Sequence, residues 1–156
     1  MREAVEQKGF HKGRGTFVQA FGSSQLDAAV LLLPTFGFLE WDDERMVSTV
    51  DVVLEELSVG DGLLLRYSED DGLEGSEGAF LACSFWLVEC LAHQSRLEQA
   101  QAVFDRAVAT ANDLGLFGEE YDYENEQILG NFPQGLTHLA HIAAAVALNE
   151  ERVSGS

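Results

Sequence analysis

The chain has 156 residues, enough for one domain with its own core, and 46% of them are hydrophobic, an ordinary share for a globular protein. Its formal net charge is -18. With no basic patch to neutralise phosphate, nucleic acid and anionic membranes are excluded as expected partners, whereas a neutral ligand such as a sugar suits this field.

The N-terminus, Met1-Arg2-Glu3-Ala4-Val5-Glu6, is charged and lacks an apolar stretch, so no signal peptide is expected. The first dozen residues read as the end of a helix closed by Gly9, followed by a Gly- and aromatic-containing loop from Gly13 to Ser24. That loop lacks a Gly-Lys-Ser/Thr ending and is not a phosphate loop. Residues 26–33 are apolar apart from Asp27, and Pro34 ends the run. A short buried helix is expected there, with Ser24 as its cap.

Trp41-Asp42-Asp43-Glu44-Arg45-Met46 reads as a helix start in which Asp42 caps and Trp41 staples onto Met46. Val50, Val53, Leu54 and Leu57 continue one apolar stripe, so 42–57 is expected to be amphipathic. Leu63 to Tyr67 is the one stretch with a suggestion of local strand pairing. The connection from Gly60 to Gly78 is long and polar; the acids among its glycines would repel a pyrophosphate.

Residues 79–92 are apolar nearly all round, which marks an interior helix, and Trp86 is expected in the core. Cys83 and Cys90 lie on this helix about two turns apart, roughly 10 Å along the axis, too far for a disulfide. Buried free thiols in a reducing cytoplasm are expected, and the run is too short to span a bilayer. Ser95-Arg96-Leu97-Glu98 has the form of a capping box, opening an amphipathic helix over 96–114 that Gly115 stops. Leu116-Phe117-Gly118-Glu119-Glu120-Tyr121-Asp122 is expected as a loop carrying two carboxylates and an aromatic. An apolar helix over 134–148 and a polar tail over 151–156 complete the chain.

Helices apolar all round (26–33, 79–92, 134–148) thus alternate with amphipathic ones (42–57, 96–114). Inner helices surrounded by outer ones produce this alternation, with the long loops gathered at one end. The predicted class is all-α. Four histidines are present, and His138 and His141 stand three apart; a metal needs three or four ligands, so hydrogen-bonded or core histidines are the favoured reading. No metal and no other cofactor is expected.

Four blocks carry a resemblance: LDAAVLLLP ending at Pro34, EGAFLACSFWLVE from Glu77 to Glu89, LFGEEYD from Leu116 to Asp122, and GNFPQGLTH from Gly130 to His138. In order and spacing they resemble the C-terminal portion of glycoside hydrolase family 15, which includes bacterial glucoamylases, glucodextranases and trehalases. The resemblance implies an (α/α)6 barrel, of which about six helices over residues 1–150 would form half. It implies inverting hydrolysis of an α-glucoside such as trehalose or a maltooligosaccharide, trehalose being slightly favoured. In that chemistry an acid and a base stand roughly 6.5–9.5 Å apart on opposite faces of the sugar.

By position the resemblance makes Glu119 the general base, with Glu120 beside it where many relatives carry Gln. The family's general acid lies ahead of this segment, so nothing here takes its place; Glu74 and Glu77 match a substrate-contacting region. Glu77 and Phe80, at the start of an interior helix, are expected to touch sugar hydroxyls and a sugar face, although Glu77 serves equally as a helix-dipole partner. Tyr121 is expected either to line the site or to pack in its loop. Lacking the acid, the chain is expected to be inactive alone, and the uncovered flank of half a ring is expected to meet the missing N-terminal half or to self-associate. The alternative is a non-catalytic helical domain that binds sugar or protein.

Overall fold

The computed structural model of the chain describes residues 2–67 and 78–154. They form helices α1 (Arg2–Lys8), α2 (Glu44–Leu57), α3 (Leu81–His93), α4 (Leu97–Val108) and α5 (Gly135–Ser154), and a 3-10 helix at Ala28–Leu32. Between them run short strands: β1 (Phe10–His11), β2 (Thr16–Phe17), β3 (Ser58–Val59), β4 (Leu63–Leu64), β5 (Ala79–Phe80), β6 (Glu120–Asp122) and β7 (Gln127–Leu129). The molecule is helix-rich as expected, but not purely all-α. β1 pairs with β2 and β3 with β4, and β5-β6-β7 make a three-stranded antiparallel piece.

The core is built around α3. Ten of its thirteen side chains are buried, because α5, α4, α2 and the 3-10 helix all pack on it. That is the physical reason for its nearly uniform apolar sequence. At its centre the fully buried Phe85 ring stands 5.5 Å from Phe117, 6.0 Å from Phe104 and 5.2 Å from His141, all edge-on. Burying such a ring contributes about 1.5–3 kcal/mol, and each edge contact adds about 0.5–1.5. Cys83 and Cys90 are buried free thiols, as expected. Burial pushes both up in pKa, and the Cys90 thiol donates to the Leu31 carbonyl at 3.3 Å.

α2 buries Met46, Thr49, Val50, Val53 and Leu57, the one-sided spacing read from its sequence. Its cap is Asp43 and not Asp42: Asp43 Oδ1 accepts the Arg45 amide at 2.9 Å, and the carboxylate also takes the Arg45 guanidinium at 2.9 and 2.7 Å. That guanidinium hydrogen bond holds Asp43 below the usual carboxylate range. The Trp41 ring lies against His93, 4.5 Å between centroids.

Several element boundaries differ from expectation, each for a local reason. The apolar run at 26–33 yields only five residues of 3-10 helix, capped by Asp27 and not by Ser24, since Asp27 Oδ1 accepts the Ala29 amide at 2.8 Å. A run this short, ended by a proline, does not repay α-helix nucleation. Residues 79 and 80 pair as a strand, so α3 starts at Leu81. The capping box does not form, because Ser95 sits at φ +58 and α4 begins behind Arg96 without a side-chain cap. α4 also ends early, at Val108. Beyond it Asn112 Oδ1 accepts the amides of Leu114 and Leu116, and Gly115 (φ +74) serves this turn rather than the helix end.

α5 is not buried all round. It turns Thr137, Ala140, Ala144, Ala147 and Leu148 inward, and the small side chains of the first four allow close approach to α3. Its larger Leu136, Leu139, Ile142, Val146 and Val153 face outward, with Leu139 68% exposed. The helix continues to Ser154, so the predicted polar tail is in part its last turn. No described helix is long and apolar enough to cross a membrane.

Candidate active site

The segment 116–122 is held rigidly rather than left as a free loop. Its second half is β6, the middle strand of its sheet, with Phe80 opposite Glu120, Ala79 opposite Tyr121, and Leu129 and Ile128 on the other side. Its first half is a strap whose backbone is tied on both flanks: Glu119 N–H donates to Asn131 O at 2.9 Å, and Leu81 N–H donates to Glu119 O at 3.1 Å. Backbone paired on two sides keeps few alternative conformations, which suits a residue whose position decides a reaction.

The Glu119 side chain is fixed as firmly as its backbone. Its Oε2 accepts the Asn131 amide at 3.0 Å and the Asn131 side-chain amide at 2.8 Å. Among the described residues no hydrogen bond reaches Oε1. Two glycines make the arrangement possible. A Cβ on Gly130 (φ +68) would stand 2.8 Å from Glu119 Oε2 and 3.1 Å from its Cβ; one on Gly118 would stand 2.3 Å from Ile128 Cγ2. Both positions exclude a side chain because the carboxylate and β7 lie directly on the backbone.

Beside Glu119 opens a cleft of about 180 Å³ lined by Arg66, Tyr67, Gly78, Phe80, Glu119 and Glu120. Of the residues read from the sequence, the structure therefore brings Glu119, Glu120 and Phe80 together. Tyr121 goes to the opposite face of β6, where it is buried under the Arg106 guanidinium at 5.7 Å. Trp86 packs against the core as expected. Glu74 and Glu77 lie outside the described residues.

Arg66 and Tyr67 were missed. Arg66 lies 5.8 Å from both the Phe80 and Tyr67 ring centroids, and its Nε is 3.7 Å from Asp27 Oδ2. Its carbonyl accepts the Ala28 amide at 2.8 Å, and Asp27 bridges to Tyr67, so the start of the 3-10 helix locates both side chains. The signal available was a lone cation closing an apolar run, Leu63-Leu64-Leu65-Arg66. The cleft thus offers two carboxylates, a guanidinium and aromatic faces, the donor and acceptor set that grips a polyhydroxylated ring. Among the described residues no group of three His, Cys, Asp or Glu is placed to hold a metal. His138 and His141 lie instead against Phe117.

Residues 1–146 match the sequence profile of glycosyl hydrolases family 15. The chain belongs to that family. It is 43% identical over 150 residues to the trehalase of Thermoplasma volcanium, covering 96% of this chain and 24% of that protein. It is 44% identical over 136 residues to the trehalase of Mycobacterium tuberculosis, covering 85% of this chain and 20% of that protein. The chain therefore spans about a quarter of the length of these family 15 relatives. Among solved structures, a glycosidase in complex with glucose superposes with a TM-score of 0.81 at 21% identity, over 95% of this chain and 42% of that one. Another glycosidase superposes with a TM-score of 0.80 at 22% identity. At such identities the likeness concerns the fold.

Proposed function

We propose that this chain is the base-bearing C-terminal portion, residues 1–150, of an inverting α-glucoside hydrolase, with trehalose the first substrate to test. The observation that carries the reading is the Glu119 carboxylate, pinned through one oxygen by Asn131 at the wall of a cleft lined by Phe80 and Arg66. In this reading Glu119 takes a proton from water through Oε1 as the water oxygen bonds to the anomeric carbon. The glycosidic C–O bond breaks as a second carboxyl, the general acid, protonates the departing oxygen.

Phe80 supplies an apolar face for the sugar ring, while Arg66, Tyr67 and Glu120 meet its hydroxyls, with Glu77 a further expected contact. The acid comes from the part of the protein that relatives carry beyond this segment. Two carboxylates adjacent in the chain and lining one cleft do not reach opposite faces of a sugar with room for water between. The helices then make half of an (α/α)6 ring, a reading supported by the buried α3, the amphipathic α2 and α4, and the uncovered apolar stripe of α5. The chain alone releases no glucose.

The test is titration of the 156-residue chain with glucose and trehalose, followed by amide NMR. Shifts centred on Phe80, Glu119 and Glu120 that disappear in Arg66→Ala are expected. Absence of shifts at 100-millimolar-order sugar, or shifts confined to another face, would defeat the assignment.

A further inference from the structure

His138 and His141 have no part in the chemistry above; both rings lie against Phe117 in the strap that carries Glu119, and of the two it is His138 that hydrogen-bonds the strap's backbone. The first turn of α5 and the residue before it hold that strap by three hydrogen bonds. Gln134 N–H donates to Phe117 O at 2.9 Å, the buried Thr137 Oγ1 donates to Gly118 O at 2.9 Å, and Phe117 N–H donates to His138 Nε2 at 3.2 Å. The last of these fixes the state of the ring. A nitrogen that accepts carries no proton, so this bond is made by the tautomer whose ring proton is on Nδ1. His141, one turn on, is enclosed by Phe85, Phe104 and Phe117 at 5.1–5.4 Å, and its pKa is lowered by burial and then by the neighbouring His138. A layer of two histidine rings is thus laid against the strap, with no ligand set for a metal among the described residues.

Phe117 is two residues from Glu119, too short a tether to absorb a shift of the Phe117 backbone. We propose that His138, with Thr137 beside it, is a positioning residue: its unprotonated Nε2 captures the Phe117 amide and so sets where Glu119 stands. The proposal rests on the reading of Glu119 as general base for its importance, since a misplacement on the order of 1 Å reduces turnover by about a hundredfold. Its tests run without turnover.

The experiment is nitrogen-15 NMR of the 156-residue chain and of His138→Leu, His138→Gln and Thr137→Val. Wild type is expected to show His138 as the Nδ1–H tautomer and a protected Phe117 amide. In His138→Leu, Phe117 exchanges about tenfold faster or more, as its buried donor loses its acceptor, and the Asn131 side-chain amide bonded to Glu119 shifts. Glutamine, whose side-chain oxygen replaces the acceptor, restores both signals; Thr137→Val moves the Asn131 signal by removing the second tie. A protonated Nε2, an unmoved Phe117 in the leucine variant, or a glutamine variant that behaves like leucine would each overturn the proposal. If the leucine variant fails to fold, the tautomer, the glutamine variant and Thr137→Val decide in the same way. A catalytically unaffected Glu119→Gln would remove the base reading and leave all these NMR outcomes as they stand, so the two failures are distinguishable.

Discussion

Gly130→Ala separates the cost of a backbone conformation from the placing of the Glu119 carboxylate. Gly130 lies at φ +68, and Gly115, at φ +74, is its natural control. For either position an L residue in the left-handed region costs about 1–2 kcal/mol, partly offset by the stiffer unfolded chain, for a net loss of about 1 kcal/mol. In a chain of this size that lowers the melting midpoint by roughly 2–4 °C. Space distinguishes the two. A Cβ on Gly115 meets nothing within 4 Å, whereas on Gly130 it falls 2.8 Å from Glu119 Oε2 and 3.1 Å from Glu119 Cβ. Carbon and oxygen at rest stand about 3.5 Å apart, so the carboxylate must retreat by on the order of 1 Å. The retreat breaks its 3.0 and 2.8 Å bonds to Asn131. Thermal unfolding should therefore show this loss in both variants with a further loss in Gly130→Ala, while NMR of the Asn131 side-chain amide changes in Gly130→Ala alone. An Asn131 signal equally undisturbed in both variants would refute the pinned geometry.

Other outcomes follow from the same packing. Phe85→Ala, at the meeting point of Phe104, Phe117 and His141, should lose about 3–5 kcal/mol in denaturant unfolding; a loss under 1 would contradict its place at the centre of the core. His141 has its pKa depressed in the folded chain by burial, below its ordinary 6.5, so the unfolded chain takes up the proton first. Its contribution to stability is therefore fully present above pH about 6.5 and falls as acid is added down to the depressed folded value; His141→Phe should flatten that limb of the stability–pH curve. Leu139→Glu, on the outward stripe of α5, should leave the melting midpoint nearly unchanged yet shift sedimentation from associated species toward monomer. A wild type that sediments as a clean monomer would remove the case for a seam there.

The large helices were legible because their sequences obey one rule each. α2 keeps a single apolar stripe, and α3 is apolar on every side because something packs on every side. α5 was misread by the same rule. Its small alanines meet α3 while its leucines and isoleucine face outward, and composition alone does not tell a helix buried all round from one with an unpartnered face. In Leu63 to Tyr67 local pairing was legible, and β4 and the Tyr67 bridge lie there; the other strands were not legible, since pieces of two or three residues leave no alternating pattern, and only the pairing of Ala79 and Phe80 with β6 reveals why they are extended. At the site, Glu119, Glu120 and Phe80 were legible through their blocks, and the cleft contains them. Arg66 and Tyr67 were not, because they reach the cleft through a bridge to Asp27, forty residues of chain away in order of magnitude, and such a contact has no local signature. Tyr121 shared the block but not the cleft, because neighbouring residues of a strand point to opposite faces.

The most direct measurement is trehalose hydrolysis by this chain completed with the remainder of the family 15 protein, comparing wild type with Glu119→Gln and Glu120→Gln. Proton NMR of the fresh products identifies the anomers before they equilibrate. The account predicts that wild type releases one glucose with inverted configuration, that Glu119→Gln lowers turnover by about a thousandfold or more, and that Glu120→Gln retains much more of it. Turnover near the wild-type rate in Glu119→Gln, or retained configuration in the released sugar, would contradict it.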